Sequence, residues 1–257
     1  MNDFSLESLE PNVLETLKNE LLAVADTKLV LGNWYVECTH NGRSVPDFAG
    51  LLGMATTTYG QVRSLYLYLM NFGCKYETLE RGRQADEISS MDLLDSPPKS
   101  WEDFIATSFL AEQATWMMLS GFLDHPDRAL SGLANKIGQE IYFHLKFYKG
   151  WMDIFVESGN TAFLDYLNAR YPIALRWFGN QLNQDLLSEN GLRNVPLADI
   201  KNAFTAEVTK VYEAFDANSL SDDVDYAAGW NETKRRTGNL PDSLYEIIRF
   251  KDPSGAH

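Results

Sequence analysis

The chain has 257 residues, of which 45% are hydrophobic, and this is enough to build one sizeable core. Its 36 acidic and 22 basic residues give a net charge of -14, which disfavours nucleic acid and anionic membrane surfaces as partners, because both are bound mainly through Lys and Arg. No apolar stretch approaches the roughly 20 residues of a membrane span, and the acidic N-terminus is unlike a signal peptide, so we expect a cytoplasmic protein.

Helical periodicity runs through most of the sequence. Apolar residues recur at intervals of three and four, while the alternating β-branched runs that mark strands are missing. This pattern predicts an all-α fold. We expect a first helix at 11–39 with a break near Asp26, a second at 46–71, and a polar connection at 77–99.

The third helix has the clearest start signal. Ser100 is expected to cap it, because Asp103 lies three residues further on, close to capping-box spacing. This helix should end near Leu123, and a tight turn at 124–126 should lead into a fourth helix that ends near Ser158.

The C-terminal part is expected to add helices to these four. A fifth, at 161–187, should kink or restart at Pro172, since proline removes a backbone donor. A sixth is predicted at 196–217, followed by a mostly irregular appendage from about residue 218 and a last short helix at 241–250.

The predicted helices do not account for two features of the sequence, an apolar part of the third helix and a basic run near the C-terminus. Residues 109–122 of the third helix are apolar on several faces, so we expect a subunit interface to cover what a lone bundle leaves open. The basic run Lys234, Arg235 and Arg236 is expected to be a solvated loop, with a contact to a ligand phosphate or an acidic partner as the alternative.

Acidic side chains in apolar helical segments suggest a site inside the bundle. A carboxylate-bridged di-iron centre needs about four carboxylates and two imidazoles, partly supplied as Glu-x-x-His pairs. Glu37 on the first helix, Glu112 on the third, and Glu140 with His144 on the fourth lie in such segments. Buried charges need partners, so these residues are predicted to converge.

This arrangement resembles the phenylacetic acid catabolic family of ferritin-like proteins, over roughly residues 25–250. The resemblance rests on five short motifs in order, at 31–37, 59–61, 109–112, 140–144 and 238–244. It implies a ferritin-like four-helix bundle with additional C-terminal helices, and the length of the chain predicts that residues 1–257 form a single such domain. The resemblance also implies a heteromeric complex, in which a catalytic di-iron subunit works with a small accessory subunit and a reductase.

The departures from the family pattern decide the expected role. The catalytic subunits carry Glu-x-x-His on the second helix, where this chain has Thr58 and Gln61. On the fourth helix the position of the catalytic Glu is Ile141, and Glu140 is offset by about 100° around the helix. The resemblance is therefore closest to the structural, non-catalytic large subunit of the phenylacetyl-CoA epoxidase complex, and we expect no metal or cofactor in this chain.

Two interpretations of the remaining ligands stay open. In the preferred one, Glu37, Glu112 and His144 form a hydrogen-bonded core network, with Thr58 and Gln61 filling the other places. In the other, Glu37, Glu112, Glu140 and His144 bind one metal ion or a mixed pair, which would make the chain a catalytic oxygenase or oxidase with a rearranged ligand set. A third possibility is an independent helical interaction protein.

Overall fold

The computed structural model describes residues 4–180, 184–218, 224–226 and 229–248. Its framework is a bundle of long helices, namely α1 (Pro11–Cys38), α2 (Val45–Leu69), α3 (Trp101–Ser120) and α4 (Arg128–Glu157). α1 packs on α2 and α3, and α4 packs on the same two helices, which closes the bundle. The predicted all-α helical bundle is confirmed.

Shorter elements follow the bundle in the chain, namely α5 (Ala162–Arg176), α6 (Leu186–Glu189), α7 (Leu197–Ala214), the antiparallel strands β1 (Trp230–Asn231) and β2 (Arg236–Thr237), and α8 (Asp242–Ile248). Parts of three predicted segments lie outside the described residues, namely 181–183, 219–223 with 227–228, and 249–250. Among the described helices, none combines the length and the apolar character that crossing a membrane requires. The organisation as a single domain stays a prediction.

Side-chain caps set the start of α2 and α3. The Ser44 hydroxyl accepts a hydrogen bond from the backbone N–H of Asp47 at the start of α2. Ser100 does the same for Asp103 at the start of α3, as its spacing predicted. Such caps satisfy backbone donors that have no partner within the helix, so these starting points are encoded locally.

α1 continues through Asp26 without a break, so that prediction is wrong. The buried Asp26 carboxylate accepts hydrogen bonds from Arg83 at 2.7 and 2.6 Å and from the Tyr66 hydroxyl at 2.9 Å. Asp disrupts a helix when it bonds to the local backbone, and here its partners come from other segments instead. The ion pair ties the connection between α2 and α3 to α1.

The predicted fifth helix at 161–187 is too long. α5 passes through Pro172 without restarting, and it ends before the fully buried Trp177 and Phe178. The carbonyl groups of both residues accept hydrogen bonds from Arg235, at 3.2 and 2.8 Å. Arg235 therefore satisfies backbone acceptors at the end of the helix, and this long-range partner has no local sequence signal.

α3 is covered by the chain itself. Besides α1 and α4, both α5 and α7 pack on it, so its apolar faces are buried without a second subunit. The expectation that a subunit interface must cover residues 109–122 is therefore wrong.

The basic run near the C-terminus is not a solvated loop. Arg236 is completely buried and donates to Ser90 and, at 2.7 Å, to Asp95. Arg235 is almost as buried and donates to Glu20 at 3.1 Å. Both guanidinium groups are thus used inside the protein, where they attach the β1–β2 hairpin to the bundle.

Candidate functional site

The interior of the bundle contains an ion pair between α1 and α3, which we call the central pair. The Lys28 Nζ lies 2.5 Å from Oε1 of Glu112, and both side chains are completely buried. Charged side chains are almost never fully buried without a partner, because removing an ion from water costs several kcal/mol. The other polar groups of the interior are arranged around this pair.

α4 adds His144 to the central pair. Its Nδ1 lies 3.0 Å from the same Glu112 oxygen, and its Nε2 lies 2.8 Å from the hydroxyl of Thr57 on α2. The imidazole is 3% exposed, so these contacts are shielded from water. One side chain therefore joins α2, α3 and α4.

Two buried tyrosines complete the network. The Tyr35 hydroxyl donates to Oε2 of Glu112 at 2.9 Å, and the Tyr148 hydroxyl lies 2.5 Å from that of Tyr35. Both oxygens of the Glu112 carboxylate thus have partners, as a buried charge requires.

The network holds Glu112 in its ionised form. Burial alone would raise the pKa of Glu112, but the charges of Lys28 and His144 lower it to about 2. Burial lowers the pKa of Lys28, and attraction to Glu112 opposes this shift. Burial and the Glu112 charge raise the pKa of Tyr35 and Tyr148, which keeps both hydroxyls protonated.

Glu37 does not join this network, which corrects the hypothesis that it shares a core network or a ligand set with Glu112 and His144. Its side chain is exposed, and no hydrogen bond or ion pair to it occurs in the described part of the chain. Glu37 follows the buried Tyr35 by two residues, so it lies about 200° further around the helix. Val36 beside it is exposed as well, whereas Trp34 and Tyr35 belong to the buried face of α1.

The remaining predicted positions lie on α2 and α4. Thr58 and Gln61 are buried, and Nε2 of Gln61 donates to Glu140 at 3.1 Å. The Thr58 hydroxyl and the Gln61 carbonyl oxygen have no hydrogen-bond partner among the described residues. Ile141 is fully buried, whereas Glu140 is partly exposed. The structure thus brings Glu140 to Gln61, and Glu112 to His144.

These residues do not fit a di-iron centre. Of the ligands that such a centre needs, Glu112 and His144 remain together, and Glu112 is already neutralised by Lys28. The ammonium group would repel a metal ion on the same carboxylate, strongly so in a low-dielectric interior. Within the described ranges, no group of three or more His, Cys, Asp or Glu side chains is placed to hold a metal ion.

The roles of Lys28, Tyr35 and Tyr148 in this network were not predicted from the sequence. A signal for the first two was present, because Leu21, Lys28 and Tyr35 are spaced by seven residues and therefore lie on one face of α1. A lysine in an apolar stripe requires a buried acid nearby. For Tyr148 no comparable signal distinguishes its hydroxyl from ordinary aromatic packing.

The exposure of Glu37 leads to a prediction about stability. We expect Glu37→Ala to change the free energy of unfolding by less than about 0.5 kcal/mol, as for other surface positions. His144→Ala should cost about 1–3 kcal/mol, because it removes a hydrogen-bond partner from the buried Glu112. Urea denaturation followed by circular dichroism measures both. Equal losses in the two variants would show that Glu37 belongs to the core.

By its fold and its site, this protein is an all-α helical bundle whose centre is a lysine–glutamate pair. A model of the family described as phenylacetic acid catabolic protein matches residues 7–229. This match covers most of the chain, so the chain belongs to the phenylacetic acid catabolic protein family, and the resemblance noted from its motifs is confirmed. A search of curated proteins finds no match.

Proposed function

We propose that this chain is a non-catalytic, scaffolding subunit of a multicomponent di-iron acyl-CoA monooxygenase that acts in aromatic degradation, similar to the phenylacetyl-CoA epoxidase. The observation that carries the proposal is the central pair. Lys28 meets Glu112 at the position where a catalytic member of the family would need its carboxylate for iron.

The Lys28 ammonium has the structural role that a metal ion would have in a catalytic member of the family. It neutralises a buried carboxylate and links two helices of the bundle, which a protein without iron must achieve by other means. His144 and Tyr35 supply the further hydrogen-bond contacts that a buried carboxylate needs. The bundle can therefore keep its geometry without a metal.

The partners follow from the same proposal. A related subunit that carries both Glu-x-x-His motifs would hold the di-iron centre and most contacts to the acyl-CoA, and a small accessory subunit and a reductase would complete the complex. The complex would work in the cytoplasm. This chain would hold the catalytic subunit in its active geometry.

A second candidate is a catalytic oxygenase or oxidase with a reduced ligand set. The contact between Glu112 and His144 favours it, since two potential ligands from different helices do meet. It requires Lys28 to leave the site, with Glu140 as the nearest further acid on α4.

Iron content separates the two candidates. The chain, expressed alone in iron-supplemented medium and analysed by plasma mass spectrometry, is expected to contain only trace iron. It should also form a stable complex on gel filtration when co-expressed with a family member that has both Glu-x-x-His motifs. A full di-iron complement with an oxygen-dependent absorption spectrum would refute the scaffold role, and so would failure to form the complex.

A further inference from the structure

α2 and α4 leave a groove between them on the outside of the bundle. The helices are antiparallel, since Thr57 lies beside His144 and Gln61 lies beside Glu140. The volume of the groove is about 950 Å³, which is within the range of sites for small organic molecules.

Small residues on α2 create the space. Ala49, Gly50 and Gly53 line this side of the groove. A Cβ atom at Gly53 would have no heavy atom of the described residues within 4 Å, whereas one at Gly50 would lie 3.3 Å from the ring of Phe147. The groove is therefore open at Gly53 and narrows towards Gly50.

The opposite wall of the groove, formed by α4, is apolar and largely exposed to solvent. Phe143 and Phe147 of α4 line it, and Met54 adds an apolar side chain on the α2 side. Phe143 is 70% exposed, and the adjacent Tyr142 is 55% exposed. Neighbouring aromatic side chains that remain in water on one face mark a binding surface, because covering them is favourable.

Two cations stand at the rim of this apolar groove. Lys136 and Lys146 of α4 both line it, and neither forms an ion pair within the described part of the chain, although the net charge is -14. They are separated by about 15 Å along the helix at 1.5 Å per residue. Glu140 lies one turn from Lys136, so the end of the groove at Lys146 is the more favourable one for an anion.

We propose that this groove binds a long apolar anion, namely a fatty carboxylate. The carboxylate would pair with Lys146, and the apolar body would extend past Gly53 under Phe143. Burial of the aromatic wall supplies the binding energy. Lys146, which lies over the Tyr142 ring and has no ion-pair partner among the described residues, selects the sign of the head group. This site does not depend on whether the chain acts as a scaffold.

Titration calorimetry with the full chain tests the proposal, with dodecanoate and dodecylamine as probes below their micellar concentrations. Dodecanoate is expected to bind saturably to one site per chain, at least tenfold more tightly than the amine of the same length. Lys146→Glu should reverse this preference, and Lys149→Glu, which changes an exposed lysine on the same helix, should not.

A matched pair of glycine variants tests the location. Gly53→Leu fills the groove and should abolish dodecanoate binding. Gly60→Leu, at another exposed position of α2 where the described part of the chain has no atom within 4 Å of the added Cβ, should leave binding unchanged. Neither should unfold the protein, since leucine is the better helix former. Equal binding of the two probes, or full binding by Gly53→Leu, would overturn the proposal. So would the absence of binding together with dimers that Gly53→Leu dissociates, since the groove would then be an interface between copies.

Discussion

Replacing Lys28 with Met is expected to lower the free energy of unfolding by about 3–5 kcal/mol, the typical cost of removing one partner of a buried ion pair. The side chain of Met has a similar length and fills most of the same space, so packing should change little. The loss arises because the completely buried Glu112 keeps its charge and loses its cation. Urea denaturation followed by circular dichroism at neutral pH measures the effect.

A double variant identifies the cause of this loss. Glu112→Gln removes the charge but keeps an oxygen that can accept the hydrogen bond from Tyr35. Combined with Lys28→Met, it should recover most of the lost stability, because no uncompensated charge remains. Lys18→Met, at an exposed pair on the same helix, should cost less than about 0.5 kcal/mol. Additive losses in the double variant would show that Lys28 contributes through packing alone.

The sequence was most informative where structure is encoded locally. The start of α3 at Trp101 follows from Ser100 and Asp103, whose hydrogen bond forms within four residues of chain. The end of α5 depends instead on Arg235, which is nearly sixty residues away in the sequence and satisfies the carbonyl groups of Trp177 and Phe178. Local periodicity contains no information about such a partner.

The same contrast applies to the site. Glu112 and His144 were predicted to meet because both lie on apolar helix faces, and they do. Glu37 was placed with them because its neighbours in the sequence are apolar, but its own face of α1 points to solvent. Lys28 was not predicted, because metal ligands are mostly acids and histidines. The need of a buried ammonium group for a buried acid would have predicted it.

The acid stability of the protein should depend on Glu112. Its pKa falls from 4.5, the usual value for Glu, to about 2 in the folded protein. A carboxyl whose pKa is lower in the folded state than in the unfolded state makes its full contribution to stability when the pH is above the unfolded pKa. This contribution is lost as the pH falls through the folded pKa. The shift corresponds to about 3 kcal/mol, which should be lost between about pH 5 and about pH 2.

Lys28→Met should change this pH dependence. Without the ammonium group, burial raises the pKa of Glu112, and the main group that still opposes this rise is His144. Protonation of Glu112 therefore costs the folded state less. The difference in unfolding free energy between wild type and Lys28→Met should therefore shrink as the pH falls from about 7 to about 3. Relative to Lys28→Met/Glu112→Gln, which has no carboxyl at this position, Lys28→Met should gain stability as the pH falls, whereas wild type should lose it. Urea denaturation at a series of pH values compares the three proteins. A difference between wild type and Lys28→Met that stays constant over this range would mean that the lysine does not control the charge of Glu112, and the central pair would lose its role as the substitute for a metal.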